Sequence, residues 1–199
     1  MARARTVKGL HRKATLLENA RAIVAVRVAE MFDFSYAVGD PEHLDDLHNM
    51  RIAAKRLRYT LEMFRVCLNE DGEALIDVVK EIQERIGAIH DADVLLEMAR
   101  LRLAVVAHHR TEALVAAAGS GRVDERLAAV RAVFDGDDAQ RGLAGLLART
   151  GAERQSNYDA FTAWWQEHGG DKLRARLDAS LLQNPAAAAD ATAHQEQPQ

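Results

Sequence analysis

Apolar residues recur at three- and four-residue intervals along most of this chain, the period of a helix with one buried face. Leu17, Ala20, Val24, Val28 and Met31 predict a first helix over 15–38, closed by Gly39, Asp40 and Pro41. A second helix is predicted from 41 or 42 to 68, ahead of the break Asn69-Glu70-Asp71-Gly72. Leu75, Val78, Val79, Ile82 and Ile86 mark a third, which stops near Gly87 or His90. Asp91 is then placed to cap a fourth over 92–118, before the turn Gly119-Ser120-Gly121. A fifth helix follows over 123–134, and Asp135-Gly136-Asp137-Asp138 interrupts. A short sixth covers 139–150. The last spans 152–168, breaks at Gly169–Gly170 and resumes over 171–182.

No segment shows the alternation of a strand. Short loops between long helices force neighbours to run in opposite directions, so the expected fold is all-α, an antiparallel bundle of six to seven helices over 15–182. Residues 1–14 form a basic N-terminal arm. Residues 183–199 are rich in Ala, Gln and Pro without period and are expected to be a disordered tail.

Composition agrees with helices and narrows the compartment. The chain has 199 residues, 48% of them apolar, and only three prolines. One cysteine, Cys67, excludes an internal disulfide framework and suits a reducing cytoplasm; its apolar neighbours make it a small buried hydrophobe. No stretch approaches the roughly 20 apolar residues a membrane helix needs. The formal charge is −4, but Met1–Val66 carries 12 Lys and Arg against 8 Asp and Glu. An acidic protein with its bases gathered in one third is not a general nucleic-acid coater, yet it has room for a local anion site.

The second helix holds the chemistry. On a helical wheel Leu47, Met50, Ala54, Leu57, Leu61, Phe64 and Leu68 share one arc, which faces the core. His48, Arg51, Lys55 and Arg58 share a second arc beside it, a stripe roughly 15 Å long. Arg56 points elsewhere, and Tyr59 borders the stripe. Glu62, at the far end, is the only carboxylate in the row. Two readings follow. The row receives an anion, or its stems lie along an apolar border and Asp45, Asp46, Asp91 or Asp93 neutralises it. On the first helix Arg21 and Arg27 flank the apolar arc on opposite sides, so at most one faces the same groove easily. Lys8, His11, Arg12 and Lys13 precede that helix.

At these residues the chain resembles the CHAD domain, the conserved histidine α-helical domain. The resemblance rests on Leu47-His48-x-x-Arg51-Ile52-x-x-Lys55-Arg56-Leu57-Arg58-Tyr59 with Glu62 following, and on Gln83-x-x-x-Gly87-x-x-x-Asp91-x-Asp93 in the loop expected between the third and fourth helices. A weaker third place is Tyr158, Phe161, Trp164 and Trp165, followed by Leu173 and Leu177. The resemblance implies a helical bundle that binds inorganic polyphosphate and directs proteins to polyphosphate granules in the cytoplasm. Carried over position by position, it makes His48, Arg51, Lys55, Arg56 and Arg58 the ligands, with Tyr59, Arg21 and Arg27 as neighbours. Full members have two similar halves, and here the motif occurs once, in the form of a second half. A half-size chain implies that two copies associate to complete the basic surface.

Other classes are less well served. Eight histidines invite a metal site, but none forms the four-residue helical pair of a zinc motif, and His90, Asp91 and Asp93 make only a loose cluster. No phosphate-binding glycine loop, nucleophile elbow or catalytic carboxylate pair is present, so no cofactor and no catalysis are expected. RNA is the nearest rival ligand. Single-strand binders add aromatic platforms, whereas aromatics are 5% here and only Tyr59 lies beside the stripe. A helical scaffold without an anion is the remaining alternative.

Overall fold

A computed structural model of the chain describes residues 3–119, 121–135 and 138–180. The expected tail over 183–199 lies outside the described residues, as do Ser120, Gly136, Asp137 and the predicted end of the last helix at Leu182. Among the described residues the protein is all-α, with six α-helices, two short 3-10 turns and no strand. The helices are α1 (Leu16–Phe32), α2 (Leu44–Met63), α3 (Gly72–Gly119), α4 (Val123–Asp135), α5 (Asp138–His168) and α6 (Gly170–Ser180).

Helix α1 starts at a reciprocal cap. The Glu18 amide donates to the Thr15 hydroxyl at 3.2 Å, and the Thr15 amide donates to the Glu18 carboxylate at 2.8 Å. It ends at Phe32 rather than at residue 38. The Ser35 hydroxyl donates to the Phe32 carbonyl at 2.8 Å, and the chain tightens into a 3-10 turn over Ser35–Gly39. That turn presents the Val38 carbonyl to the Tyr158 hydroxyl at 2.8 Å, a tertiary bond no local pattern announces. Helix α2 likewise ends at Met63, short of 68. In its last turn the Thr60 hydroxyl donates to the Arg56 carbonyl at 2.8 Å, a back-bond that competes with regular helix.

The break expected near Gly87–Asp91 is absent, and α3 runs through it for 48 residues. Gly87 looks like a helix breaker, but a mid-helix glycine costs only about 1 kcal/mol, and here it serves packing. A Cβ at Gly87 would stand 3.3 Å from Nε of Arg51. Asp91 therefore caps nothing and lies exposed inside the helix. The predicted sixth and last helices likewise fuse into α5, because Gly151 alone does not overcome propagation on either side. The break at Gly169–Gly170 does form. A Cβ at Gly169 would stand 2.8 Å from the Trp165 carbonyl oxygen, and Gly170 has φ 58°.

The chain forms two compact units. Of the described residues, the first comprises 3–88 and 157–180. Its described core takes Ala20, Val24, Val28 and Met31 from α1, and Leu47, Met50, Ala54, Leu57 and Leu61 from α2. The start of α3 adds Leu75, Val79, Ile82 and Ile86, the end of α5 adds Tyr158, Phe161 and Trp165, and α6 adds Leu173 and Leu177. Every α2 position read as core-facing, Phe64 and Leu68 included, is buried. Full burial of such side chains contributes roughly 1.5–3 kcal/mol each, which fixes the rotation of α2 about its axis. Cys67 is buried as expected, and burial pushes its thiol up. The second unit spans 89–156. In it Arg154 Nε meets Asp93 Oδ1 at 2.9 Å, and Arg110 donates to Gln140 at 2.7 Å.

Candidate anion-binding site

With the apolar arc of α2 pinned inward, the helical period puts His48, Arg51, Lys55 and Arg58 on one lateral face of the first unit. Their surroundings differ. Arg51 is half-buried with its guanidinium against Gly87, and its Nε is buried without a hydrogen-bond partner. Lys55 is exposed, its Nζ 5.9 Å from the centre of the Tyr59 ring. The Arg58 guanidinium lies over the same ring at 4.7 Å. Its Nε is 3.8 Å from Glu62, beyond hydrogen-bond reach, and is likewise buried without a hydrogen-bond partner. His48 is half-buried one turn before Arg51. Gln83, one turn before Gly87 on α3, has a buried Oε1 that accepts no hydrogen bond.

Glu62 makes an ion pair with Arg58 at 3.8 Å, at the far end of the stripe, and two of the other acids that could have neutralised it are engaged elsewhere. Asp46 accepts from the Tyr36 hydroxyl at 2.6 Å and lies 3.6 Å from His43; that bond raises the Tyr36 hydroxyl above its ordinary pKa. Asp93 belongs to Arg154. Among the described residues neither Arg51 nor Lys55 has an ion-pair partner. A guanidinium N–H withdrawn from water with no acceptor is costly, by roughly 1–3 kcal/mol or more for a charged group. Two such groups on one helix face leave hydrogen-bonding capacity that the protein's own acceptors do not fill.

Two other sequence-predicted residues sit in a different environment. Arg27 and Arg56 both bind Glu30, whose side chain is 3% exposed. Arg56 Nε is 3.2 Å from the Glu30 carboxylate; Arg27 and the Arg5 amide bond it as well. Burial would push the Glu30 carboxyl up, but the Arg5 amide, the Arg27 hydrogen bond and the charges of Arg27 and Arg56 outweigh it and hold it below the usual 4.5. The arm is thus tied to α1. Arg5 also bonds Asp33, and His11 exchanges hydrogen bonds with Asn19 at 3.2 and 3.1 Å. Arg3, Arg5 and Arg56 line a pocket of about 150 Å³ with Glu30, Asp33 and Phe34. Arg21 lies within the field of Glu18, a turn from the Thr15 cap.

Sequence reasoning missed Glu30 and Gly87 as parts of this surface. Glu30 left one signal, its three-residue spacing from Arg27. Its other partners come from 25 and 26 residues away. Gly87 was visible only as a motif position, because its role is to admit a guanidinium from another helix. Gly87→Ala is therefore expected to keep or raise the melting temperature, since alanine favours helix by about 1 kcal/mol. It should displace Arg51 and weaken anion binding several-fold. Equal affinities for the two proteins by calorimetric titration would remove the Gly87–Arg51 contact from the account.

Among the described residues no group of three or more His, Cys, Asp or Glu converges to hold a metal ion, and no helix is long and apolar enough to cross a membrane. Comparison with known families matches residues 4–100 to the CHAD domain. The match contains the α2 stripe, Gln83, Gly87, Asp91 and Asp93, and it ends before Tyr158, Phe161, Trp164 and Trp165. No curated protein and no solved structure was found to match the chain.

Proposed function

Residues 4–100 carry a CHAD domain in an otherwise short chain, and from that premise we propose that the protein binds inorganic polyphosphate, without catalysis, along the outer face of α2. Arg51, Lys55 and Arg58 are the principal ligands, His48 extends the row, and Tyr59 holds the Lys55 and Arg58 head groups together. The observation that carries this reading is the pair of buried arginine Nε atoms, at Arg51 and Arg58, without an acceptor among the described residues, on a face that also holds the exposed Lys55. Polyphosphate offers what such a row needs, repeated oxygens each carrying charge and no base edges to read. Arg27 and Arg56 answer to Glu30 first, so in this reading they shape and charge the neighbouring surface, and Arg21 lies at its margin. Two copies associate to lengthen the basic surface, and the protein resides in the cytoplasm at polyphosphate granules.

RNA is disfavoured by the state of Tyr59. A stacking platform needs a ring face for a base, and the Arg58 guanidinium already covers one of the two faces of this ring. Competition tests the choice. Long-chain polyphosphate should displace a labelled single-stranded RNA at far lower phosphate concentration than RNA displaces polyphosphate, and the reverse order would favour a nucleic-acid role. Three to four engaged cations also set the salt response. The logarithm of the binding constant should fall against the logarithm of salt with a slope of about −2 to −4, by analogy with nucleic-acid polyanions. A slope near zero would mean that charge is not the basis of binding.

A further inference from the structure

Helix α3 is apolar on two opposite faces within the second unit. Leu96 and Ala99 are buried on one face, with Leu103 and Val106 partly so. On the other, Val94, Met98, Leu101 and Val105 are 45%, 62%, 61% and 43% exposed. Their spacing of four, three and four is that of a coiled-coil seam. Scattered exposed apolar residues are ordinary, but a contiguous row marks an interaction surface. Continued at the same spacing, the row meets Asp91 at one end and His108 at the other, both exposed.

We propose that this stripe is an interface between two copies of the chain, their α3 helices pairing antiparallel about a two-fold axis between Met98 and Leu101. In that register Met98 packs on the partner's Leu101 and Val94 on the partner's Val105. Asp91 falls opposite the partner's His108, an imidazole that its own chain's Glu112 approaches at 3.4 Å from the next turn, so each end of the apolar row sets an acid against a base that already has one acidic neighbour. The parallel alternative sets Asp91 against the partner's Asp91 and His108 against the partner's His108, like upon like. Charge complementarity thus selects both the occupant, a second copy, and its direction. The apolar row is under two heptads long, short for a specific interface, so the dimer is concentration-dependent. The inference names a surface for the two-copy part of the reading above and does not use the anion site.

Sedimentation of the full chain across the micromolar range should show the mass rising from 22.0 kDa toward twice that value. Met98→Glu/Leu101→Glu should remain monomeric throughout with an unchanged helical circular dichroism signal, because both positions are exposed. Asp91→Lys should weaken association about three- to tenfold, and adding His108→Asp should restore it. A wild-type monomer at every concentration overturns the proposal, as does a dimer the double substitution leaves intact. Polyphosphate titration of the Met98→Glu/Leu101→Glu protein keeps the two ideas apart, since binding by that monomer leaves the α2 site standing whatever becomes of the interface.

Discussion

Replacing Arg51 and Lys55 together by alanine is expected to weaken polyphosphate binding more than tenfold while the helical fold persists. Charge-assisted hydrogen bonds contribute roughly 1.5–3 kcal/mol each, and 1.4 kcal/mol is a factor of ten. Loss of two ligands therefore exceeds tenfold even when part of the contribution goes into ordering the side chains. The two positions also lack internal ion pairs among the described residues, so removing them strands no protein carboxylate. Far-ultraviolet circular dichroism and a polyphosphate titration on the same sample make the measurement. Affinity within twofold of wild type would eliminate this face of α2 as the site.

The second large effect lies on the other side of α2 and concerns stability. Glu30→Ala leaves Arg27 and Arg56, whose side chains are 15% and 24% exposed, without their common counter-charge. Removing one partner of a buried ion pair costs about 3–5 kcal/mol, less where solvent reaches the survivors. A loss of about 2–3 kcal/mol is expected here, which lowers the melting temperature by roughly 4–12 °C. The pH dependence has a definite sign. The folded carboxyl is held below its ordinary 4.5, so its contribution is fully present above that value and is lost as pH falls through the folded pKa. The gap between wild type and Glu30→Ala should therefore be constant around neutrality and close in acid. Polyphosphate affinity should not fall in Glu30→Ala at temperatures where it stays folded, which separates this cluster from the stripe. A melting temperature unchanged at pH 7 would mean that the cluster contributes nothing.

These two regions also mark how far the sequence could be read. The α2 stripe was legible because one strong period places Leu47, Met50, Ala54, Leu57 and Leu61 inward, and every other residue of that helix follows from them. The family match over 4–100 covers that part of the chain. Misreadings came where a local signal was overruled by a distant partner. Gly87 and Asp91 imitate a helix end, yet Gly87 is inside α3 to admit Arg51, and Asp93, offered as a counter-charge for the stripe, belongs to Arg154 61 residues on. The wheel turned Arg56 away from the stripe, and the family resemblance made it a ligand with Arg27 as a neighbour; in the structure both meet Glu30. The Val94–Val105 row was present in the spacing all along. It becomes meaningful only once the core of α3 is known to lie on the opposite face.

The most direct test of the account is to ask which arginines a bound polyphosphate touches. Side-chain Nε–Hε resonances of ¹⁵N-labelled protein should shift on titration at Arg51 and Arg58, whose Nε atoms lack acceptors, while those of Arg27 and Arg56 hold their positions beside Glu30. Saturable shifts confined to Arg27 and Arg56, or no shift at any arginine, would contradict it.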